Sequence, residues 1–375
     1  MVDDTLNDAR HEVLTENTAQ AVHKHLSKLF QEEARFRSRW VWELLQNARD
    51  ASPEEGVSVW LIQEPHRVVF RHSGVPFTHK SIAHLIYHGS TKYDLSDSGA
   101  IGQFGTGFLT THLISKTVEV NGRTDDGRQF RFLLDRRGGN ANELKGAMDA
   151  SWEAFIRSLT EGPFNDAGGF TTEFEYPLAS DILGVVTEGI ADLIINAAYL
   201  LAFNGKIKSL HVEQPDRSVT IEKRACKPFG EVAQRLHVEE RASGNDPVSR
   251  YVASIANDGT SVAVEIAGID ANWSIAERGQ TPRVFVAFPL TGTLDFCLPV
   301  VINNEKFQPR EDRDTLVLVG NREGKHQNMV RMEGACDLAA RLAVLAAEEH
   351  WVGAAILVRL NPLRQWDWVD ADWFR

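Results

Sequence analysis

The stretch RWVWELLQNARDA, residues 39–51, constrains this chain more than any other. Its apolar residues Val41, Trp42, Leu44, Leu45 and Ala48 recur as they do on a helix packed into a core. Glu43, Asn47 and Asp50 fall at i, i+4 and i+7, which lines acid and amide groups along one face of that helix. A helix buried on most sides that also carries a polar stripe needs something charged or hydrated opposite the stripe. The fold must supply it.

The rest of the chain suits such an arrangement. Helical periodicity runs over residues 5–50, through Leu14, Ala21, Val22, His25, Leu26, Leu29 and Phe30, and stops at Pro53 and Gly56 in DASPEEG. Two strand-like runs follow, VSVWLIQE and RVVFRHSG, then a short helix, THKSIAHLIYHG, closed by Gly89. FLTTHLIS reads as a helix, TVEVNGRTDDGRQFRFLLD as a hairpin and TTEFEYPL as a further strand. A second unit opens near Ser180 with the helix IADLIINAAYLLAF, followed by the strands IKSLHVEQ, SVTIEKRA, SVAVEIA and RVFVAFPL. The segment 325–360 reads as helical. The tail RQWDWVDADWFR has no stop signal of its own, as in the front end of a longer protein.

At 375 residues, with 43% hydrophobic and 25% charged residues, the chain has the profile of an ordinary globular protein of two or three domains. A net charge of −12 argues against non-specific nucleic-acid binding as the main activity. Cys226, Cys297 and Cys336 are odd in number and far apart, with no disulfide or zinc spacing, which points to a reducing, cytoplasmic setting. The polar start MVDDTLNDARHEV is no signal peptide, and the apolar run at 191–203 is too short to span a membrane. The basic stretches RFRSR (35–39) and DRRGG (135–139) read as solvated faces.

GQFGTG, with Gly102, Gly105 and Gly107, supplies what a phosphate needs: backbone N–H groups with no Cβ in the way, followed by a helix start. Asn47 offers a carbonyl oxygen to Mg²⁺, and Glu43, one turn earlier, can take a proton from an attacking water. Asp50 can hold water beside that base.

Three ordered motifs, ELLQNARDA, HSGVPFT and STK…IGQFGTGF, resemble those of the GHKL ATPases, the superfamily of the ninety-kilodalton heat-shock chaperone, gyrase B, MutL and histidine kinases. HGSTK and VVINNEKFQPREDRDTL are similar to the sacsin-like and MORC-like branch, and the resemblance covers about residues 20–320. It implies an α/β (α+β) fold: a two-layer ATP-binding sandwich over 1–179, a transducer-like α/β domain over 180–322 and a helical segment over 323–375. It implies ATP and Mg²⁺ as ligands, Glu43 as general base and Asn47 as the metal ligand. Nucleotide contacts would come from Asp50, Ala51, His72, Gly74, Lys92, Gly102, Gln103, Phe104, Gly105, Thr106, Gly107 and Phe108, under a lid formed by about residues 89–101. Thr171 or Thr172 matches a threonine that supports the adenine pocket, and Lys306, Arg310 or Arg313, the last ranked first, would reach the terminal phosphate. It further implies lid closure, domain rearrangement and a homodimer on ATP binding, through the leading helix 5–36, and leaves the client or effector unidentified.

One departure stands out. His72 occupies the position where the family has an aspartate that accepts a hydrogen bond from the adenine amino group. A neutral histidine accepts only through its unprotonated nitrogen, so nucleotide binding is expected to weaken as pH falls toward ~6.5. Gly74 fits a close approach of backbone to base. A nucleotide-gated switch with little turnover is the alternative, and a nucleic-acid-associated MutL-like or MORC-like ATPase is less favoured by the acidic balance. The histidine-kinase reading fits less well, because those domains lack the base glutamate and no phospho-acceptor helix pair precedes the motifs.

Overall fold

The computed structural model describes residues 2–87, 107–161, 169–230, 232–269, 272–276, 279–310, 312–320, 323–359 and 368–369. The chain is mixed α/β and divides into two compact units, 1–191 with 210–218, and 192–209 with 219–375. The C-terminal helical segment therefore falls within the second unit.

In the first unit, strands β1 (Val57–Glu64), β2 (Arg67–His72), β3 (Thr117–Arg123), β4 (Gln129–Asp135) and β5 (Thr172–Pro177) stand in the order β1-β2-β5-β3-β4. Each pairs antiparallel with its neighbours. The period of two sends one set of side chains to a single buried face: Val59 and Leu61, Phe70 and His72, Thr172, Phe174 and Tyr176, Val118 and Val120, Phe130, Phe132 and Leu134. The other face carries charge, as in the Arg71–Glu173 and Arg67–Glu175 ion pairs.

Helices cover the apolar face. The periodicity expected over 5–50 resolves into three pieces: α1 (Val2–Gln31), α2 (Glu33–Phe36) and α3 (Arg39–Asp50). No Gly or Pro marks the breaks. The buried Phe36 and Trp40 sit on either side of the second one, so packing rather than a local breaker sets it. Among the described side chains of α1, Thr15, Ala19, Val22, Leu26 and Leu29 are buried. Leu14 and Phe30, expected on that face, are 54% and 37% exposed. Helix α3 buries Trp40, Val41, Leu44, Leu45 and Ala48 completely, each large side chain contributing about 1.5–3 kcal/mol. Residues Gly107–Leu113, expected as an α-helix, form 3₁₀ turns that pack against α3.

Helix α4 (His79–Tyr87) ends on Arg136, which is buried and donates from Nη2 to the carbonyls of Leu85 and Ile86 at 3.3 and 2.5 Å. This corrects the view of DRRGG as a solvated face. A cation at a helix C-terminus satisfies carbonyls that have no partner within the helix. The expected stop at Gly89 lies outside the described residues.

Helix α5 (Ala141–Ser158) is absent from the sequence expectations, yet its start was written there. Asn140 accepts from the Glu143 N–H at 3.0 Å, and the Glu143 carboxylate accepts from the Gly139 N–H at 2.7 Å. This is a capping box one residue wide of its usual form. Leu144, Met148 and Phe155 seat the helix on the sheet beside Phe130 and Phe132.

Helix α6 (Leu183–Phe203) carries the chain from the first unit to the second. It belongs to the one described segment long and apolar enough to cross a membrane, Ser180–Phe203, most of which is buried inside the fold. After β6 (Ile207–Gln214), the second unit contains β7 (Arg217–Phe229), β8 (Ala233–Ala242), β9 (Val248–Asn257), β10 (Thr260–Ile269), β11 (Asn272–Ile275), β12 (Val284–Val286), β13 (Phe288–Pro289) and β14 (Val301–Asn304). Their order is β7-β8-β9-β10-β14-β12-β13, with β11 on β10, and β12 pairs parallel with β14. The expected strand RVFVAFPL is split at Ala287, which takes a φ of 59°. Helix α7 (Glu323–Glu348) packs Met332, Ala335, Leu338 and Leu342 into the core of this unit. It stops earlier than expected, at His350 (φ 56°) and Gly353 (φ 83°).

The cap on α5 is testable. Asn140→Ala should lower stability by about 1 kcal/mol in urea unfolding, with an unchanged slope. An unaltered midpoint would mean the cap contributes nothing.

Candidate functional site

Four segments distant in sequence meet beside the C-terminal half of α3. The stripe comes first. Glu43 is buried, and its Oε1 accepts from Arg39 Nε at 3.0 Å, one turn earlier on the helix. The pair is shielded, with 14% of the Arg39 side chain and 7% of the Glu43 side chain exposed. Arg39 is therefore no solvated surface charge. The i, i+4 spacing held that signal, and the run of arginines around it concealed it. The other carboxylate oxygen, Oε2, lies against Gly107, where an added Cβ would come within 2.1 Å. A Cβ at 107 would displace the Glu43 carboxylate from this position.

Further along the stripe, the half-buried Asn47 forms no side-chain hydrogen bond among the described residues. Asp50 pairs with Arg49 at 3.5 Å. The helix then closes onto the second segment: the Ala51 carbonyl accepts from the Val75 N–H at 2.7 Å. That bond brings the end of β2 against α3.

At that end stands His72, buried among Phe70 and the backbone that follows it. The Gly74 N–H donates to His72 Nδ1 at 3.1 Å. A backbone N–H can only donate, so Nδ1 is the acceptor and the neutral ring carries its proton on Nε2. Burial pushes the imidazole down to about 4, so the ring is neutral at ordinary pH. The expected weakening of binding near ~6.5 is corrected accordingly. So is the role of the ring as an acceptor toward a base, since the acceptor nitrogen is already in use. A Cβ at Gly74 would meet His72 Nδ1 at 2.7 Å and the Ala51 carbonyl oxygen at 2.8 Å. The close approach that requires this glycine is made by the protein's own atoms.

The third segment precedes and begins β5. Thr171 donates from its N–H to the His72 carbonyl at 3.0 Å and from its hydroxyl to the Gly74 carbonyl at 2.5 Å. Thr172 lies directly across from His72 in the β2–β5 register and is fully buried. Among the described residues its hydroxyl has no hydrogen-bond partner. The fourth segment is the end of the glycine motif. After Gly107, Phe108 packs on Phe174 at a centroid distance of 5.4 Å, two residues along β5 from Thr172. The glycine motif's end, the α3 stripe and the His72–Thr172 pair therefore share one face of the sheet.

Lys92, Gly102, Gln103, Phe104, Gly105 and Thr106, with the expected lid at 89–101, lie outside the described residues. Lys306, Arg310 and Arg313 belong to the second unit, on the segment after β14. Lys306 is exposed, Arg310 and Arg313 are half-buried, and Arg313 takes a left-handed φ of 51°. Among the described residues no group of three His, Cys, Asp or Glu side chains is placed to hold a metal. Mg²⁺ usually keeps several waters and takes one or two protein oxygens plus phosphate oxygens, a role the unengaged Asn47 amide fits. No family model and no curated protein sequence matches the chain.

The burial of His72 has a consequence for stability. Its folded pKa of about 4 lies below the ordinary value of 6.5, so the unfolded chain binds the extra proton between them. The contribution is complete above pH ~6.5 and is lost as pH falls toward ~4. Between pH 7 and 5 the protein should lose about 2 kcal/mol more stability than His72→Asn, whose amide oxygen can still accept from Gly74. Parallel losses in urea unfolding would show that the ring is not buried neutral.

Proposed function

We propose that the chain is a Mg²⁺-dependent nucleoside triphosphatase of the GHKL type. The observation that carries this reading is the seating of the Glu43 carboxylate against Gly107, the last glycine of the phosphate-type motif. In this reading the base stands beside the last glycine of the motif. The mixed α/β layout of the first unit, a sheet with helices on one face, supports the two-layer sandwich of that superfamily.

In this reading Arg39 holds Oε1 of Glu43 and fixes the direction of the carboxylate. Oε2 takes the proton of the water that attacks the terminal phosphorus. Asn47 would supply a neutral oxygen to Mg²⁺, whose charge, when it is bound, would offset that of the phosphate oxygens. Ala51 and the backbone from His72 to Val75 wall the far end of the site, where Thr171 ties β5 to the same loop.

Phosphate release from Mg-nucleotide should fall at least about a hundredfold in Glu43→Ala while nucleotide affinity stays within a few-fold of wild type. Asn47→Ala should lose the Mg²⁺-dependent part of the binding seen by calorimetry. Turnover that persists in Glu43→Ala would remove Glu43 as the base. Nucleotide binding without turnover in the wild type would favour a nucleotide-gated switch.

A further inference from the structure

The polar groups on the buried face at the end of β2 and the start of β5 form a pair with a defined hydrogen-bonding sense. His72 and Thr172 are directly opposed in antiparallel register, so their side chains stand on the same face. The Gly74 N–H occupies Nδ1, leaving the Nε2–H as the one polar atom of the ring still to be matched, and it is a donor. The Thr172 hydroxyl is fully buried and has no partner among the described residues. Such a hydroxyl costs about 1–3 kcal/mol unless something bonds to it. It can donate or accept, so it follows whatever polarity the histidine imposes.

We propose that this pair selects a 6-oxopurine base, guanine or hypoxanthine, over the 6-aminopurine adenine. The inference rests on the nucleotide reading of the site. On the edge of a 6-oxopurine, O6 accepts and N1–H donates. The His72 Nε2–H would donate to O6, and the Thr172 oxygen would accept from N1–H. Adenine presents the inverse order, with an amino donor at position 6 and an acceptor at N1. Thr172 can turn its hydroxyl to suit N1, but the histidine would set N–H against N–H. It cannot reverse its sense, because moving the proton to Nδ1 would set that atom against the Gly74 N–H.

The test is direct binding by calorimetry, with Mg²⁺ and the non-hydrolysable imido analogues of GTP, ITP and ATP. Wild type should bind the guanosine and inosine analogues about ten- to a hundredfold more tightly than the adenosine analogue. Similar affinities for the first two would place the discrimination at position 6 rather than at the 2-amino group. A carboxylate only accepts, so His72→Asp should reverse the order. His72→Asn, whose amide offers both senses and leaves the site uncharged, should narrow the gap to a few-fold. Equal affinities in the wild type, or a preference for the adenosine analogue, would overturn the proposal while leaving the nucleotide site in place. Failure to bind any of the three would remove the nucleotide reading itself, and this inference with it.

Discussion

Helix α3 meets a glycine at both ends of its polar stripe, and at each end an added Cβ would displace a neighbouring atom. At Glu43 the carboxylate occupies the space of a Cβ on Gly107. At Ala51 the carbonyl bonds the Val75 N–H and presses on Gly74. These two contacts fix where the glycine motif ends and where β2 ends relative to one helix. They make the stripe a junction with segments 24 and 64 residues further along the chain, Ala51 to Val75 and Glu43 to Gly107. Without them α3 would still bury Leu44, Leu45 and Ala48, but nothing would set what its polar side faces.

A buried carboxylate is expensive unless paired, and Arg39 provides the pairing from the same helix. A partner four residues away costs little chain entropy, and it holds one carboxylate oxygen while leaving the other for the site. The same economy appears at Arg136, whose buried guanidinium meets the last carbonyls of α4. In both places a basic run that reads as surface has one member turned inward. Composition cannot separate that member from its neighbours, because the distinction lies in which atoms are within reach after folding.

The legible parts of the fold were those where a single local signal sufficed. Apolar β-branched and aromatic runs marked β1 and β2, alternation marked β5, and the apolar run after Ser180 marked α6. Asn140 and Glu143 marked α5 as plainly, but the basic run DRRGG ahead of them drew the reading of a solvated face instead. Strands β8 and β9 escaped because charged residues sit on both faces of Ala233–Ala242 and the apolar positions are few. The breaks around α2 have no signal in the chain, since tertiary packing of Phe36 and Trp40 produces them. In the site, the residue types along α3 could be read at once. The Glu43–Gly107 contact could not, being a meeting of segments.

His72 shows most sharply where residue identity stops and geometry begins. A side chain at this position must accept from the Gly74 N–H, or that donor is left buried without a partner. An aspartate and a neutral histidine satisfy the requirement equally well, so the backbone around Gly74 is indifferent to which is present. They differ in what remains. A carboxylate that has accepted once still only accepts, whereas an imidazole that has accepted at Nδ1 must donate at Nε2. The imidazole also enters the core uncharged, where a carboxylate would bring a charge that His72's neighbours Phe70 and Thr172 cannot neutralise. An aspartate in place of His72 would keep the bond from Gly74 and invert the polarity beside the Thr172 hydroxyl, which has no partner among the described residues and can take either sense.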